Sequence, residues 1–300
     1  MTIRDYFTID IGGTYIKYAI VDEAFELKQQ DKVSTPKNKE MLIEMIYGLI
    51  GQHPELSGVA ICCPGKVTSD GTVYYGGALP FMHETPLASL ITTKFAIPCS
   101  VINDGKAAAL AEHAKGNLRG VANGAAVILG SGVGGGIILN NSLLMGANDQ
   151  AGEFSFINAN LDTRPVAGQM VGRKLSAVHF VNECGRLLAL EDHDDGQTVF
   201  REIENGSDER VVSLFKDYCR KVASLIMNVQ ATLDIEKVVI GGGISSQPIL
   251  VETIQSQYYQ LIEEMGFFGE MLHKVDIEVC AYSNSANLIG ALSYFKTVHS

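Results

Sequence analysis

At two places a run of apolar or alternating residues meets a glycine-rich stretch and then resumes. Phe7-Thr8-Ile9-Asp10-Ile11 leads into Gly12-Gly13-Thr14, after which Tyr15 to Asp22 alternates in character. That pattern predicts a strand, a tight turn and a strand, with a third strand over 25–33. Met41, Leu42, Met45, Ile46 and Leu49 recur at helical spacing and predict a helix over 41–50. Val59 to Cys63 is a short continuous apolar run stopped by Pro64-Gly65, as expected of a strand buried on both faces. Ser100-Val101-Ile102 predicts another strand, and Asn103-Asp104 opens an alanine-rich helix to about His113.

The pattern pauses over 115–123 and begins again. Ala125 to Leu129 predicts a strand and Gly130 to Gly136 a glycine-rich turn. Ile137-Ile138-Leu139, Asn140-Asn141 and Ser142-Leu143-Leu144 then read as strand, tight turn and strand. Long helices follow, one capped by Ser207 with Asp208 and Glu209 in its first turn. Lys237 to Ile240 predicts a strand, Gly241-Gly242-Gly243 a loop, and Pro248 to about Met265 a helix. Asp276 to Ala281 predicts a last strand and Ser285 to about Phe295 a last helix. Both halves thus open with a hairpin and continue into α/β structure. This weak internal repeat predicts two related α/β domains with a substrate cleft between them.

Composition narrows the classes of function. The length of 300 residues fits two domains, and a chain with 46% hydrophobic and 19% charged residues can build cores rather than remain disordered. The net charge of −11 gives no general attraction to nucleic acid or to an anionic membrane. An anionic ligand must therefore be held locally, by backbone N–H groups, a few cations or a metal. No run approaches the roughly 20 apolar residues of a membrane helix, and no signal peptide is evident. The six cysteines form no C-x-x-C pair and read as reduced core thiols, so a cytoplasmic location is expected.

Three glycine clusters are candidate phosphate or nucleotide sites. In Asp10-Ile11-Gly12-Gly13-Thr14 the glycines permit close backbone approach, Thr14 adds a hydroxyl, Lys17 a cation, and Asp10 suits a hydrated Mg²⁺. The same residues also suit an ordinary hairpin turn. Gly130, Gly132 and Gly135 match G-x-G-x-x-G, yet a strand rather than a helix is expected next, which excludes a dinucleotide fingerprint. No G-x-x-x-x-G-K-[ST] occurs, which excludes a P-loop. Gly241-Gly242-Gly243 suits a flat nucleotide lying on backbone, or simply a tight connection. Asp104 is either a helix N-cap or a carboxylate placed to take a hydroxyl proton. Glu153, after Ala151-Gly152, is either a surface carboxylate or a sugar-hydroxyl acceptor. The histidines show no metal-ligand spacing.

Taken in order, Asp10-Ile11-Gly12-Gly13-Thr14, Pro64-Gly65, Asn103-Asp104 with Ala107-Ala108-Ala109, Gly132 to Gly136, Ala151-Gly152-Glu153 and Gly241-Gly242-Gly243 resemble the ROK family of sugar kinases and repressors. The resemblance covers most of the chain. It implies two ribonuclease-H-like domains of the actin/hexokinase ATPase fold, with residues 1–117 plus 286–300 as the sugar and phosphate domain and 118–285 as the ATP-binding domain. It implies that Asp10, Gly12, Gly13, Thr14 and Lys17 face the ATP phosphates. Gly132, Val133, Gly134 and Gly135 form a second phosphate loop, and Gly242 and Gly243 lie near adenosine. Gly65, Asn103, Asp104 and Glu153 hold sugar hydroxyls, with Asp104 as general base. ATP and Mg²⁺ are the implied cofactors, a small sugar the ligand and a homodimer the assembly.

Two departures from the family pattern shape the substrate. The Gly-His that follows Ala-Gly-Glu in family glucokinases is here Ser155-Phe156, and residues 158–176 contain no Cys, His or Glu. The family's structural zinc, and the sugar contacts attached to it at the anomeric end, are therefore not expected. The Pro-Asn-Leu segment appears as Gly77-Ala78-Leu79-Pro80, which lacks the Asn. A β-glucoside such as cellobiose is the expected substrate, with N-acetylmannosamine or glucose as alternatives. A ROK repressor would place a helix-turn-helix ahead of the first hairpin, which this chain enters by residue 7; a non-catalytic sugar sensor is disfavoured by the presence of both Asp10 and Asp104. A structural ATPase of the actin type would lack the Asn103-Asp104 and Glu153 set.

Overall fold

The computed structural model describes residues 4–160, 164, 166–282 and 285–299. The chain divides into two compact units, one of residues 1–119, 143–152 and 284–300, the other of 120–142 and 153–283. The segment 143–152, expected in the second domain, groups with the first unit, where Ser69 N donates to Asp149 Oδ2 at 3.2 Å.

The first unit begins with β1 (Asp5–Ile11), β2 (Tyr15–Asp22) and β3 (Leu27–Ser34), an antiparallel meander around the Gly12-Gly13 turn. Helix α1 (Lys39–Gly51) starts where Asn38 Oδ1 accepts from Met41 N at 2.8 Å and buries Leu42, Ile46, Leu49 and Ile50. Strand β4 (Gly58–Cys63) is buried along its whole length, as its continuous apolar run requires. A small sheet of β5 (Lys66–Val67), β6 (Thr72–Tyr74) and β7 (Thr85–Pro86) follows, then α2 (Leu87–Phe95), β8 (Cys99–Asn103) and α3 (Asp104–Lys115). The main sheet has the order β3-β2-β1-β4-β8, with β1, β4 and β8 mutually parallel.

The second unit repeats that plan. Strands β9 (Gly124–Leu129), β10 (Val133–Leu139) and β11 (Ser142–Leu143) precede the helices α4 (Val171–Lys174), α5 (Ala177–Leu187), α6 (Gly196–Asn205) and α7 (Glu209–Leu233). Then come β12 (Lys237–Gly242), α8 (Pro248–Glu264), α9 (Phe267–Glu270) and β13 (Asp276–Val279). The sheet order β11-β10-β9-β12-β13 matches that of the first unit, with β10 antiparallel and β12 parallel to β9. The internal repeat is thus a repeat of topology. Phe180 stacks on Tyr218 at 4.5 Å, and Phe200 and Phe215 pack edge-on beside them, forming the core under α5, α6 and α7.

The last helix, α10 (Ala286–Val298), returns to the first unit and packs on α3. Gly290 is obligatory there, because a Cβ would overlap the carbonyl of Ala107. Small residues on both helices let the backbones approach, which brings the start of α10 to the end of β1.

Several expected boundaries move. The glycine stretch 130–136 is not all turn, since β10 begins at Val133 and takes in Gly134, Gly135 and Gly136. Gly135 is required by packing, for its Cβ would stand 2.5 Å from the Phe154 ring. Strand β12 likewise runs through Gly241 and Gly242. The long helix α7 is capped by Asp208, whose carboxylate accepts from Arg210 N at 2.9 Å, and not by Ser207. The last strand stops at Val279 rather than Ala281.

Candidate functional site

In the first unit the sheet register gathers the candidate residues. Asp10 pairs with Cys62 on the parallel β4, and Cys63 pairs with Asn103 on β8, so Asp10, Cys62 and Asn103 stand at the carboxyl ends of three adjacent parallel strands. Carboxyl ends of such strands are where open α/β sheets bind ligands. Lys17 lies opposite Asp10 on β2.

Asp10 is held by two donors that converge on one oxygen. Asn287 Nδ2, from α10, donates to Oδ1 at 3.2 Å, and the Cys62 thiol donates to the same atom at 3.4 Å. Burial raises the Asp10 pKa, against the opposing pull of Asn287, Cys62 and the Lys17 charge. Burial pushes the Cys62 and Cys63 thiols well up, and both Asp10 and Asp104 add to that push, which places the two carboxylates within electrostatic reach of the same strand end. Cys62 is therefore a neutral donor. None of the six cysteines is in a disulfide, and all but Cys280 are buried.

Asp104, a candidate cap of α3, is not the cap. It is Asn103 that caps α3, with Oδ1 accepting from Gly105 N at 2.9 Å and Lys106 N at 3.2 Å. Its Nδ2 donates to the Gly65 carbonyl at 2.9 Å. Asp104 is the first helical residue, with Oδ1 accepting from Gly105 N at 2.8 Å. Gly65 has φ +94°, and a Cβ there would stand 2.7 Å from Gly76 N and 2.9 Å from Tyr74 O, so no other residue fits. The loop 74–77, Gly65, Asn103 and Asp104 form one connected assembly.

In the turn between β1 and β2, Gly12 N donates to Tyr15 O at 3.0 Å, and the Gly12 carbonyl accepts from Thr35 Oγ1 at 2.7 Å. Gly12 is thus occupied in closing the hairpin. Gly13 and Thr14 are the exposed tip that can meet an anion.

In the second unit the ends of β9 and β12 lie side by side, with Gly242 in register with Leu129. Gly242 has φ +104° and a Cβ there would overlap the Leu129 carbonyl. Gly130 and Gly243, by contrast, face open space, since a Cβ on either would meet nothing within 4 Å. Ser155 fixes this turn: its hydroxyl accepts from Val133 N at 2.9 Å and donates to Val133 O at 3.1 Å. A Cβ on Gly132 would stand 2.8 Å from that hydroxyl. Glu153 precedes the 3₁₀ turn Phe154–Phe156, and its carbonyl accepts from Phe156 N at 3.1 Å. Phe156 is 66% exposed, while Phe154 is buried under β10.

The candidates therefore fall into two sets. Asp10, Gly12, Gly13, Thr14, Lys17, Gly65, Asn103 and Asp104 share the first unit; Gly132 to Gly135, Glu153, Gly242 and Gly243 belong to the second. Sequence reasoning missed Asn287, Cys62 and Ser155. None carries a local signal, because each acts through a partner distant along the chain.

The site suits a hydrated divalent cation bound together with phosphates. Both donors to Asp10 converge on Oδ1, which leaves Oδ2 for a cation or its water, and Mg²⁺ is commonly held by one or two carboxylates plus substrate phosphate. Among the described residues there is no group of three or more His, Cys, Asp or Glu able to hold a metal. The stretch 158–176, on which the expectation of no zinc rests, lies partly outside the described residues. Among the described residues no helix is long and apolar enough to cross a membrane.

Comparison with known proteins agrees with this arrangement. The β-glucoside kinase of Klebsiella pneumoniae is 25% identical over 303 residues, covering 97% of this chain and 95% of the relative. The N-acetylmannosamine kinase of Haemophilus influenzae is 27% identical over 305 residues, with the same coverage. A ROK family glucokinase from Streptomyces griseus, solved with glucose and AMPPNP, superposes with a TM-score of 0.79 at 23% identity, covering 98% of this chain and 99% of its own. The sequence profile of the ROK family matches residues 6–298, so the chain belongs to the ROK family.

Proposed function

We propose that this chain is an ATP-dependent sugar kinase that transfers the γ-phosphate to the 6-hydroxyl of a hexose unit. The observation that carries the reading is the division of labour between Asn103 and Asp104. Asn103 caps α3 and ties it to Gly65, so that Asp104 stands at a strand end beside a fixed loop with its helix already capped. In the proposed step the Asp104 carboxylate takes the hydroxyl proton as the sugar oxygen bonds to the γ-phosphorus. The bond from γ-phosphorus to the β,γ-bridging oxygen breaks, and ADP leaves. Phosphoryl transfer asks mainly for positioning and charge stabilisation. Gly13, Thr14 and Lys17 suit the phosphates, and the open backbone at Gly130 and Gly243 suits the nucleotide. Asp10 would hold a hydrated Mg²⁺, which would neutralise phosphate charge.

The substrate we favour is a β-glucoside such as cellobiose. Phe156 is exposed rather than packed in the core, so its ring is available to an aglycone or second sugar. A site with polar groups built for a free anomeric hydroxyl rejects a substrate lacking it, and Phe156 supplies no such group. A relative named for β-glucosides supports this reading, and one named for N-acetylmannosamine supports that monosaccharide as the second. Coupled ADP detection with cellobiose, glucose and N-acetylmannosamine separates them by kcat/KM. Preference for cellobiose is expected; preference for either monosaccharide overturns the glycoside reading. ATP turnover with none of them, alongside sugar binding, would point to a sensor.

A further inference from the structure

Tyr75 is 71% exposed, the most open tyrosine ring among the exposed apolar residues, and its backbone is held at φ +62°. The left-handed region is unfavourable for a bulky residue. Its neighbours Gly76 and Gly77 share that conformation, at φ +52° and +54°, so Tyr75 occupies a left-handed turn in which glycine is the undemanding choice.

The ring is fixed from behind. His83 stacks on it with centroids 4.7 Å apart and planes 23° apart, and Tyr75 N donates to His83 Nδ1 at 3.1 Å. Lys39 Nζ donates to the His83 carbonyl at 3.0 Å, and Tyr74 meets the imidazole edge-on at 5.9 Å. One face of Tyr75 is therefore covered and the other open.

The same turn lies against the assembly that carries Asp104. The carbonyl before Tyr75 and the amide after it are the atoms that crowd Gly65, whose carbonyl accepts from Asn103. A rigid aromatic with one backed face beside a sugar site is suited to the C–H face of a pyranose or to an aryl group, since aromatic rings offer large contact area at small entropy cost.

We propose that Tyr75, backed by His83, is the stacking platform for the aglycone or second sugar of the substrate. The inference rests on the sugar-kinase reading and extends it to a specificity-determining residue. Phe156 belongs to the second unit and Tyr75 to the first.

The test compares wild type, Tyr75→Gly and Tyr75→Phe by kcat/KM for cellobiose and for glucose, with ATP saturating. In Tyr75→Gly the cellobiose-to-glucose ratio falls about tenfold, mainly through the KM for cellobiose, as loss of one aromatic contact implies. Tyr75→Phe keeps the ratio. The Tm of Tyr75→Gly changes little, because relief of the left-handed backbone offsets loss of the stack on His83, whereas a merely structural tyrosine would lower Tm and affect both sugars alike. An unchanged ratio in Tyr75→Gly overturns the platform while the kinase reading stands. Wild-type turnover of glucose but not cellobiose does the same, and turnover of no sugar at all removes both.

Discussion

The side-chain amide of Asn287 donates to Asp10 Oδ1 at 3.2 Å across 277 residues of sequence. The bond exists because Gly290 lets α10 settle onto Ala107 of α3, which carries the first turn of α10 to the end of β1. Helix packing in the first unit thus supplies a donor that lowers the Asp10 pKa against the larger push of burial.

Replacing that amide tests the link. Burial already raises the Asp10 pKa, and Asn287 is the foremost influence holding it down. In Asn287→Ala the pKa rises further, so ionised Asp10 is lost at a higher pH. The acid limb of the kcat/KM profile moves to higher pH while the plateau at alkaline pH changes less. A profile superimposable on the wild type would show that Asp10 ionisation does not govern turnover.

Asp10→Asn separates stability from function. A carboxyl whose folded pKa lies above its unfolded value costs the native state stability as pH rises through the folded pKa. Asparagine keeps an acceptor for Asn287 and Cys62 without the buried charge. The variant therefore melts above the wild type at neutral pH, and the two converge as pH falls below the ordinary carboxylate value of 3.8. Activity falls in the same variant. Thermal melts from pH 3 to 8 read the convergence, and a variant less stable at neutral pH contradicts the assignment.

Asn103 bears two loads that two substitutions distinguish. Asn103→Ala removes the cap of α3 and the tether to Gly65, costing about 1–2 kcal/mol for the cap and about 1 kcal/mol for the tether. Asn103→Asp retains a capping oxygen but loses the Nδ2 donor to the Gly65 carbonyl. The aspartate variant is expected to keep most of the stability and to lose activity through a loosened Gly65 loop. Denaturant unfolding alongside turnover measures both; equal stability of the two variants would place the value of Asn103 in the tether rather than the cap.

The sequence made the strands of the first unit's five-stranded sheet and the start of α3 legible, because their hydrophobic period and the polar residues at the helix start act locally. It offered Asp104 as the cap, and only the bonds from Gly105 N and Lys106 N to Asn103 Oδ1 move the cap to Asn103. Glycines were the harder signal. Gly135 and Gly241 are glycines because a neighbouring ring or side chain excludes a Cβ, whereas Gly130 and Gly243 face open space, and a sequence shows the same letter for both. The sheet of β5, β6 and β7 was invisible because strands of two or three residues carry no periodicity. The exposure of Tyr75 and Phe156 likewise depends on packing that no local pattern encodes.

We propose Asp104 as the base for phosphoryl transfer to a sugar. Asp104→Asn should keep its fold, because the cap of α3 belongs to Asn103, so its melting temperature stays close to that of wild type. Sugar-dependent ADP formation, measured with the best sugar for the wild type, should fall roughly 10²–10⁴-fold in kcat, the range expected for loss of a general base. Turnover near the wild-type rate by the well-folded variant would contradict the account.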